Sequence, residues 1–300
     1  MSPEVLGPIR DVFGKEANEM AQNSEQSPVI TTENLYQKAN TGNRRVIEGI
    51  LDELVLPGSE IVGAENVVDL HKRSLAGETC LLLMEHYSNF DIPALVHLLD
   101  RAGEPETADS IVAIAGMKLN EDSTFVRAFS EAYTRIVIYP SRSLESIADP
   151  EVRENERRRS QHLNMAATRQ MIRLKHRGRL ILVFPSGTRF RPGRPDTKRG
   201  VKEVDSYVKS FDTMVFVGIA GNVLQIHPTG DMSRDLTTRD VLILEASKPV
   251  ACSQFRAKLR EQTPAGKDPK QHVADAVMSE LETIHASAER LRQERLEKLG

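Results

Sequence analysis

The stretch "CLLLMEHYSNFDIP", residues 80–93, decides both the fold class and the candidate chemistry of this chain. Its uninterrupted apolar start is typical of a strand that is buried on both faces of a sheet. The end of the stretch is typical of a helix N-terminus, because aspartate caps helices and proline is tolerated in the first turn. The stretch therefore predicts a buried strand, then a turn that holds His86 and Asp91, then a helix over residues 92–102.

The same alternation of strand and helix patterns continues along the chain. Runs rich in Val, Ile and Leu predict strands at residues 110–117, 134–140, 178–185, 213–222 and 240–250. Helical spacing predicts helices over residues 122–133, 150–175 and 270–299. Such an order predicts an α/β fold with a mixed, largely parallel central sheet flanked by helices.

Residues before this alternation have a different character. Thr31 and Thr32 can start a helix that carries Leu35 and later apolar residues, and Gly42 leaves open whether one helix or two follow. We therefore predict a small helical N-terminal segment over residues 1–75 and an α/β domain over residues 76–300.

Bulk composition excludes several protein classes. The chain has 300 residues, 39% hydrophobic and 28% charged, with a net charge of −3. Two cysteines in unrelated contexts form neither a disulfide framework nor a zinc motif, which favours a reducing compartment. The start of the chain lacks the apolar core of a signal peptide, and no window has the length and apolarity of a membrane span. We expect a cytoplasmic protein, peripheral on the inner membrane face if it meets lipid.

His86 and Asp91 allow two interpretations. A single histidine after a strand is commonly structural, and Asp91 can act simply as a helix cap. At the carboxyl end of a parallel strand, however, the two residues can form a general base and its orienting carboxylate. The carboxylate would hold the imidazole tautomer while the ring takes a proton from a substrate hydroxyl.

A second polar stretch, "PSGTRFRPGRP" at residues 185–195, follows another predicted strand. Arg189 and Arg191 lie two residues apart on a loop that prolines restrict, which is typical of an anion clamp. The alternative is a solvated basic loop. Residues 151–199 carry fourteen Lys and Arg against four Asp and Glu, a surface suited to phosphates, an anionic membrane or an acidic carrier protein. With few aromatic residues among them and no nucleic-acid module, we expect no nucleic-acid partner.

These two stretches together resemble a known family. "HYSNFD" has the His-x4-Asp pattern and "FPSGTR" is close to the Phe-Pro-Glu-Gly-Thr-Arg block of the glycerolipid acyltransferases. "PSGTRFRP" and the preceding helix and strand are similar to soluble glycerol-3-phosphate acyltransferases of the chloroplast stroma type. The chain departs from these relatives at two places. Where they have a Lys-His pair, this chain has Arg142-Ser143, which keeps only the basic residue. Where the family has a proline in a later strand, this chain has Val217.

The resemblance implies roles for particular residues. It implies that His86 and Asp91 are the catalytic dyad. It implies phosphate binding by Arg142, Ser143, Arg189 and Arg191, and a candidate acceptor site that includes Lys118, Arg127, Ser186 and Gly187.

We therefore expect an enzyme that moves a fatty acyl group from acyl-CoA or acyl carrier protein to the sn-1 hydroxyl of glycerol-3-phosphate. No metal and no bound cofactor are implied, and contact with an anionic membrane surface would be weak. The alternatives are a lysophosphatidate acyltransferase, which would share the dyad and clamp, and a non-catalytic phosphate- or phospholipid-binding protein.

Overall fold

The computed structural model describes residues 3–25, 27–121, 123–145 and 147–299, with their side chains except those of Arg142 and Glu145. Its strands are Glu4–Pro8 (β1), Tyr36–Gln37 (β2), Glu60–Val62 (β3), Cys80–Met84 (β4), Ile111–Gly116 (β5), Arg135–Ile138 (β6), Leu180–Val183 (β7), Thr213–Ala220 (β8), Leu224–Gln225 (β9), Leu236–Arg239 (β10), Ile243–Ala246 (β11) and Val250–Ala251 (β12). Its α-helices are Ile9–Val12 (α1), Gly14–Asn23 (α2), Thr41–Leu54 (α3), Ala64–Leu75 (α4), Asp91–Arg101 (α5), Pro105–Ser110 (α6), Lys118–Glu121 (α7), Thr124–Ser130 (α8), Ser141–Glu145 (α9), Pro150–Lys175 (α10), Val204–Ser210 (α11), Cys252–Glu261 (α12) and Pro269–Leu299 (α13). Short 3₁₀ helices occupy Pro195–Lys198 and Met232–Arg234.

Within the described residues, nine strands form one central sheet in the order β2-β6-β5-β7-β4-β8-β11-β3, with β12 also paired to β8. The five strands from β6 to β8 in this order are mutually parallel. On either side of these five strands, β2 runs antiparallel to β6 and β11 runs antiparallel to β8. The predicted α/β fold with a mixed, largely parallel sheet is confirmed.

The central strand β4 shows why the sheet is covered on both faces. All five of its side chains are fully buried, and successive side chains of a strand point to opposite faces. Leu82 packs in one core with residues of α3, α4 and α5. Leu81 and Leu83 pack in the other core with residues of α10, α11 and α13. Parallel strands require such double burial because their crossover helices lie on both faces.

The long helix predicted over residues 150–175 is confirmed as α10. Asp149 caps it by accepting hydrogen bonds from the backbone N–H groups of Glu151 and Val152, and Pro150 fills its first position. Asn164, in the middle of α10, exchanges hydrogen bonds with the backbone of Tyr139, just beyond β6. The first half of α10 therefore extends past the carboxyl edge of the sheet.

The prediction of a helix from Thr31 is wrong. The Asn34 side chain accepts from the backbone N–H of Thr31 at 2.7 Å and folds this stretch into a turn, which leads into β2. Helix α3 begins at Thr41 because Asn40 caps it, accepting from the Asn43 N–H at 3.0 Å. It continues through Gly42 as one helix.

Residues 1–75 contain strands as well as helices. β1 pairs with β10 in a separate three-stranded sheet with β9, while β2 and β3 form the two margins of the central sheet. The first 75 residues thus contribute strands to both sheets, and the boundary at residue 75 stays a prediction.

The single late strand predicted over residues 240–250 is two strands. β11 pairs with the second half of β8 and β12 pairs with its first half, both antiparallel. The chain leaves the sheet between them, where the Ser247 side chain accepts a hydrogen bond from the Phe216 N–H. None of the helices in the described part of the chain is both long and apolar enough to cross a lipid bilayer.

Candidate active site

The candidate site lies at the carboxyl ends of β4 and β7, which are adjacent in the sheet. His86 follows β4 by two residues and keeps 17% of its side chain exposed. Asp91 begins α5 and its side chain is 5% exposed. Parallel α/β proteins bind and transform ligands at this edge, so the histidine lies where a substrate can reach it.

His86 and Asp91 form the predicted pair. His86 Nδ1 lies 2.8 Å from Asp91 Oδ2. The same carboxylate accepts hydrogen bonds from the backbone N–H groups of Tyr87, at 2.7 Å, and Ser88, at 2.9 Å. Because a carboxylate accepts, Nδ1 carries the proton and Nε2 is left with a lone pair. The turn therefore fixes an imidazole whose Nε2 faces away from Asp91.

Phe184 supports the imidazole from its face. The two ring centroids are 3.8 Å apart and the planes differ by 8°. Phe184 is the first residue after β7, and the pairing of β7 with β4 brings it alongside the histidine. The backbone N–H of Phe190, farther along the same loop, donates to the His86 carbonyl at 2.8 Å. One side of the ring is thus fixed by Asp91 and one face by Phe184.

Arg189 of the same loop is already paired. Its Nη1 lies 2.7 Å from Asp235 Oδ2, and the Asp235 side chain is fully buried. Burial raises the pKa of the Asp235 carboxyl more than the neighbouring Arg189 lowers it. Asp235 Oδ1 also accepts from the His227 N–H at 2.9 Å. The contact with Asp235 uses only Nη1 of Arg189. No described residue hydrogen bonds to its Nε–Nη2 edge, so that edge can still bind an anion.

Arg191 is the cation of this loop without a partner among the described residues. Its side chain is exposed, whereas its backbone N–H bonds to the Thr197 hydroxyl at 2.9 Å. Arg194 pairs with Asp196 at 3.0 Å. Of the loop's three arginines, Arg191 is therefore the one with a fully available guanidinium group.

The loop and the dyad lie within a match to a family model. The model is described as Acyltransferase and covers residues 59–216, more than half of the chain. The chain belongs to the acyltransferase family. This membership indicates an enzyme that takes an acyl donor and a lipid acceptor. A search of curated proteins gives no match to this acyltransferase.

The remaining predicted site residues lie at or near the same edge of the sheet. The Ser186 side chain is buried and donates to the Thr188 carbonyl at 2.7 Å, and Gly187 turns the chain with φ +65°. Lys118 follows β5 and is exposed. Ser143 lies in α9, beyond β6, whereas the side chain of Arg142 is outside the described part of the structure.

Arg127, named in the predicted acceptor site, is only partly accessible. Its side chain is half-buried in α8, and Nη2 contacts the Thr124 hydroxyl at 3.4 Å. Its Nε is buried and has no hydrogen-bond partner among the described residues. The roles of Arg127, Lys118 and Ser143 in acceptor and phosphate binding stay predictions.

Two contacts of this site were absent from the sequence interpretation: the stack of Phe184 and the ion pair of Asp235. Phe184 lies at the end of the strand predicted over residues 178–185, and its place in the "FPSG" block beside the arginines is the one sequence feature that indicates a nearby site. Asp235 lies 46 residues from Arg189 in a polar stretch with no local pattern. Nothing in the sequence distinguished it from an exposed loop aspartate.

The stack predicts a catalytic effect for Phe184. Replacing Phe184 with leucine keeps an apolar side chain of similar size but removes the parallel ring. Aromatic pairs contribute about 0.5–1.5 kcal/mol beyond their buried area, so we expect kcat to fall roughly two- to tenfold at about 1.4 kcal/mol per decade. Steady-state kinetics and melting temperatures measure the effect. Phe184→Tyr, which keeps the ring, is the matched control, and equal kcat values for the leucine variant and the wild type would contradict a role for stacking.

Proposed function

We propose that this acyltransferase moves a fatty acyl group from an acyl thioester, either acyl-CoA or acyl carrier protein, to the sn-1 hydroxyl of glycerol-3-phosphate. The observation that carries the proposal is the 2.8 Å contact between His86 Nδ1 and Asp91 Oδ2 at the carboxyl end of β4. It leaves Nε2 as a base at the edge where substrates bind.

The chemistry then needs few groups. Nε2 of His86 takes the proton of the acceptor hydroxyl while the oxygen attacks the thioester carbonyl carbon. The resulting tetrahedral intermediate collapses with cleavage of the C–S bond, and the thiolate leaves and recovers the proton from the imidazolium. Asp91 stabilises the imidazolium that forms. Base catalysis of this kind supplies roughly 10²–10⁴-fold, so positioning of the two substrates must supply much of the remainder.

We assign the acceptor phosphate to the loop over residues 185–195, called here the arginine loop. Arg191 is exposed and unpaired among the described residues, and Arg189 keeps its Nε–Nη2 edge available beside Asp235. Two guanidinium groups two residues apart suit the several oxygens of a phosphate monoester. Held there, the acceptor would present its hydroxyl towards His86, which the loop contacts through the Phe190 N–H.

The proposal is tested by thiol release. The purified protein is given each acyl donor with glycerol-3-phosphate and, separately, with lysophosphatidate, and the acyl position in the product is determined. Transfer to glycerol-3-phosphate at the sn-1 oxygen is expected. Transfer to lysophosphatidate alone would show that the protein is a lysophosphatidate acyltransferase instead. Binding of anionic lipid without thiol release from either donor would make it a non-catalytic binding protein.

The proposal also includes weak contact with an anionic membrane through α10. In its first half, Glu154 and Glu156 pair with neighbouring arginines. Its second half exposes Met165, Arg169, Ile172 and Arg173.

Charge attraction is screened over about 10 Å at 0.1 M salt, so we expect sedimentation with phosphatidylglycerol vesicles at low salt only. The R169E/R173E variant should remain in the supernatant. Sedimentation that persists at high salt would indicate an apolar anchor instead.

A further inference from the structure

A second polar cluster lies directly behind the dyad and takes no part in the proposed chemistry. It comprises Glu85 and Tyr87, the two residues that flank His86, and His285 of α13. Glu85 is 4% exposed and extends the ladder of β4, since its N–H bonds to the Val217 carbonyl at 3.1 Å. The Tyr87 hydroxyl donates to Glu85 Oε1 at 2.9 Å. The two side chains thus bridge across the backbone of His86.

Helix α13 completes the cluster. His285 Nδ1 lies 2.7 Å from the Ile219 carbonyl and 3.1 Å from Glu85 Oε2. Glu85 Oε2 also accepts from the Ile219 N–H at 3.0 Å. The helix comes this close because Gly218 faces it, where a Cβ atom would lie 2.8 Å from the backbone nitrogen of His285. The cluster therefore ties the catalytic turn, β8 and the C-terminal helix together.

Both oxygens of the Glu85 carboxylate accept a hydrogen bond in this arrangement. A buried carboxylate is costly unless it is paired and hydrogen bonded, so the donors hold Glu85 in one position. The hydrogen bond with Glu85 raises the pKa of His285 above its usual value, although burial acts in the opposite direction. Lys198, at the end of the 3₁₀ helix Pro195–Lys198, lowers the pKa of His285 through its charge, and it pairs with Glu282 of α13 at 3.4 Å.

We propose that Glu85, Tyr87 and His285 are positioning residues for His86. The bridge from Tyr87 to Glu85 fixes the backbone on both sides of the histidine, and His285 anchors the bridge to α13. His86 is thereby held between Phe184 and Asp91 with Nε2 in a constant direction. Since misplacement of a catalytic group by about 1 Å can cost 10²-fold in rate, this anchoring affects turnover. The inference rests on the proposed role of His86 as general base.

The proposal has a pH dependence with a definite sign. Because the pKa of His285 is raised in the folded protein, its ion pair with Glu85 is fully formed below about pH 6.5, the usual value for histidine. The pair is lost as the pH rises through the raised pKa of His285. The anchoring of His86, and with it kcat, should weaken over the same range.

The test compares three variants by kcat, KM and melting temperature across pH, with whichever acceptor the wild type uses. Tyr87→Phe removes only the hydroxyl. Because one hydrogen bond is lost, kcat should fall about five- to tenfold with little change in KM. His285→Ala should lower kcat at least as much. His285→Asn keeps a donor near the Nδ1 position, so it should recover part of the rate but lose the alkaline decline of the wild type. Unchanged kcat in Tyr87→Phe and His285→Ala overturns the proposal, as does a fall that only follows the folded fraction.

A measurement without turnover separates this inference from the proposed function. The NMR signals of the His86 imidazole, assigned with a His86→Asn reference, report its environment in the absence of substrate. We expect Tyr87→Phe and His285→Ala to shift or broaden these signals. If the wild type transfers no acyl group but the signals respond, the proposed function fails and the positioning stands. If transfer occurs and the signals do not respond, the positioning is wrong.

Discussion

Replacing His86 with alanine should lower the rate of acyl transfer by roughly 10²–10⁴-fold, because the proposed general base is lost. The fold should persist, since the ring lies at the carboxyl edge of the sheet and its backbone contacts remain. Thiol release and circular dichroism measure the two effects. Turnover at the wild-type rate in His86→Ala would show that another group takes the hydroxyl proton.

Asp91→Asn should retain a small remnant of this activity. The amide preserves the size of the side chain but removes the charge that stabilises the imidazolium, and it can hold the ring in the wrong tautomer. A matched control is His97→Asn in α5, since His97 also pairs with a carboxylate, Glu48, with Nδ1 and Oε2 2.7 Å apart. His97 is buried away from the substrate edge, so its replacement should affect stability and leave kcat near the wild-type value.

The second large effect concerns the arginine loop. Arg191→Ala should reduce acceptor kcat/KM by one to two decades, because a charge-assisted contact contributes roughly 1.5–3 kcal/mol. Its melting temperature should not change, since the side chain is exposed. Arg191→Lys should restore the rate only in part, because lysine lacks the planar fork. Arg194→Ala, which removes an exposed arginine paired with Asp196, is the matched control and should have a smaller effect.

Arg189→Ala should differ from Arg191→Ala in stability. It leaves the fully buried Asp235 without its ion-pair partner, which costs about 3–5 kcal/mol in the free energy of unfolding. The double variant Arg189→Ala with Asp235→Asn should recover part of that stability without recovering acceptor kcat/KM. If instead both arginine variants raise the KM of the acyl thioester and leave the acceptor unaffected, the loop holds the donor's phosphates or an acidic carrier.

The sequence by itself determined the elements that depend on neighbouring residues. The apolar run before His86, the strands at 111–116 and 180–183 and the helix over Pro150–Lys175 follow from periodicity and capping, and the structure has them at or close to the predicted positions. The pairing of His86 with Asp91 belongs to the same group. Five residues separate them, and Asp91 also accepts hydrogen bonds from the backbone N–H groups of Tyr87 and Ser88 in the short turn between them.

Tertiary structure alone decided which distant residues complete the site. Phe184 reaches His86 because β7 is the neighbour of β4, and no local pattern encodes strand order. Asp235 meets Arg189, and His285 meets Glu85, across 46 and 200 residues of chain. The strands within the first 75 residues and the division of the late strand were missed for the same reason. Periodicity reports how a segment contacts a core, whereas the partner of a given polar side chain is fixed only when the segments pack and bury it.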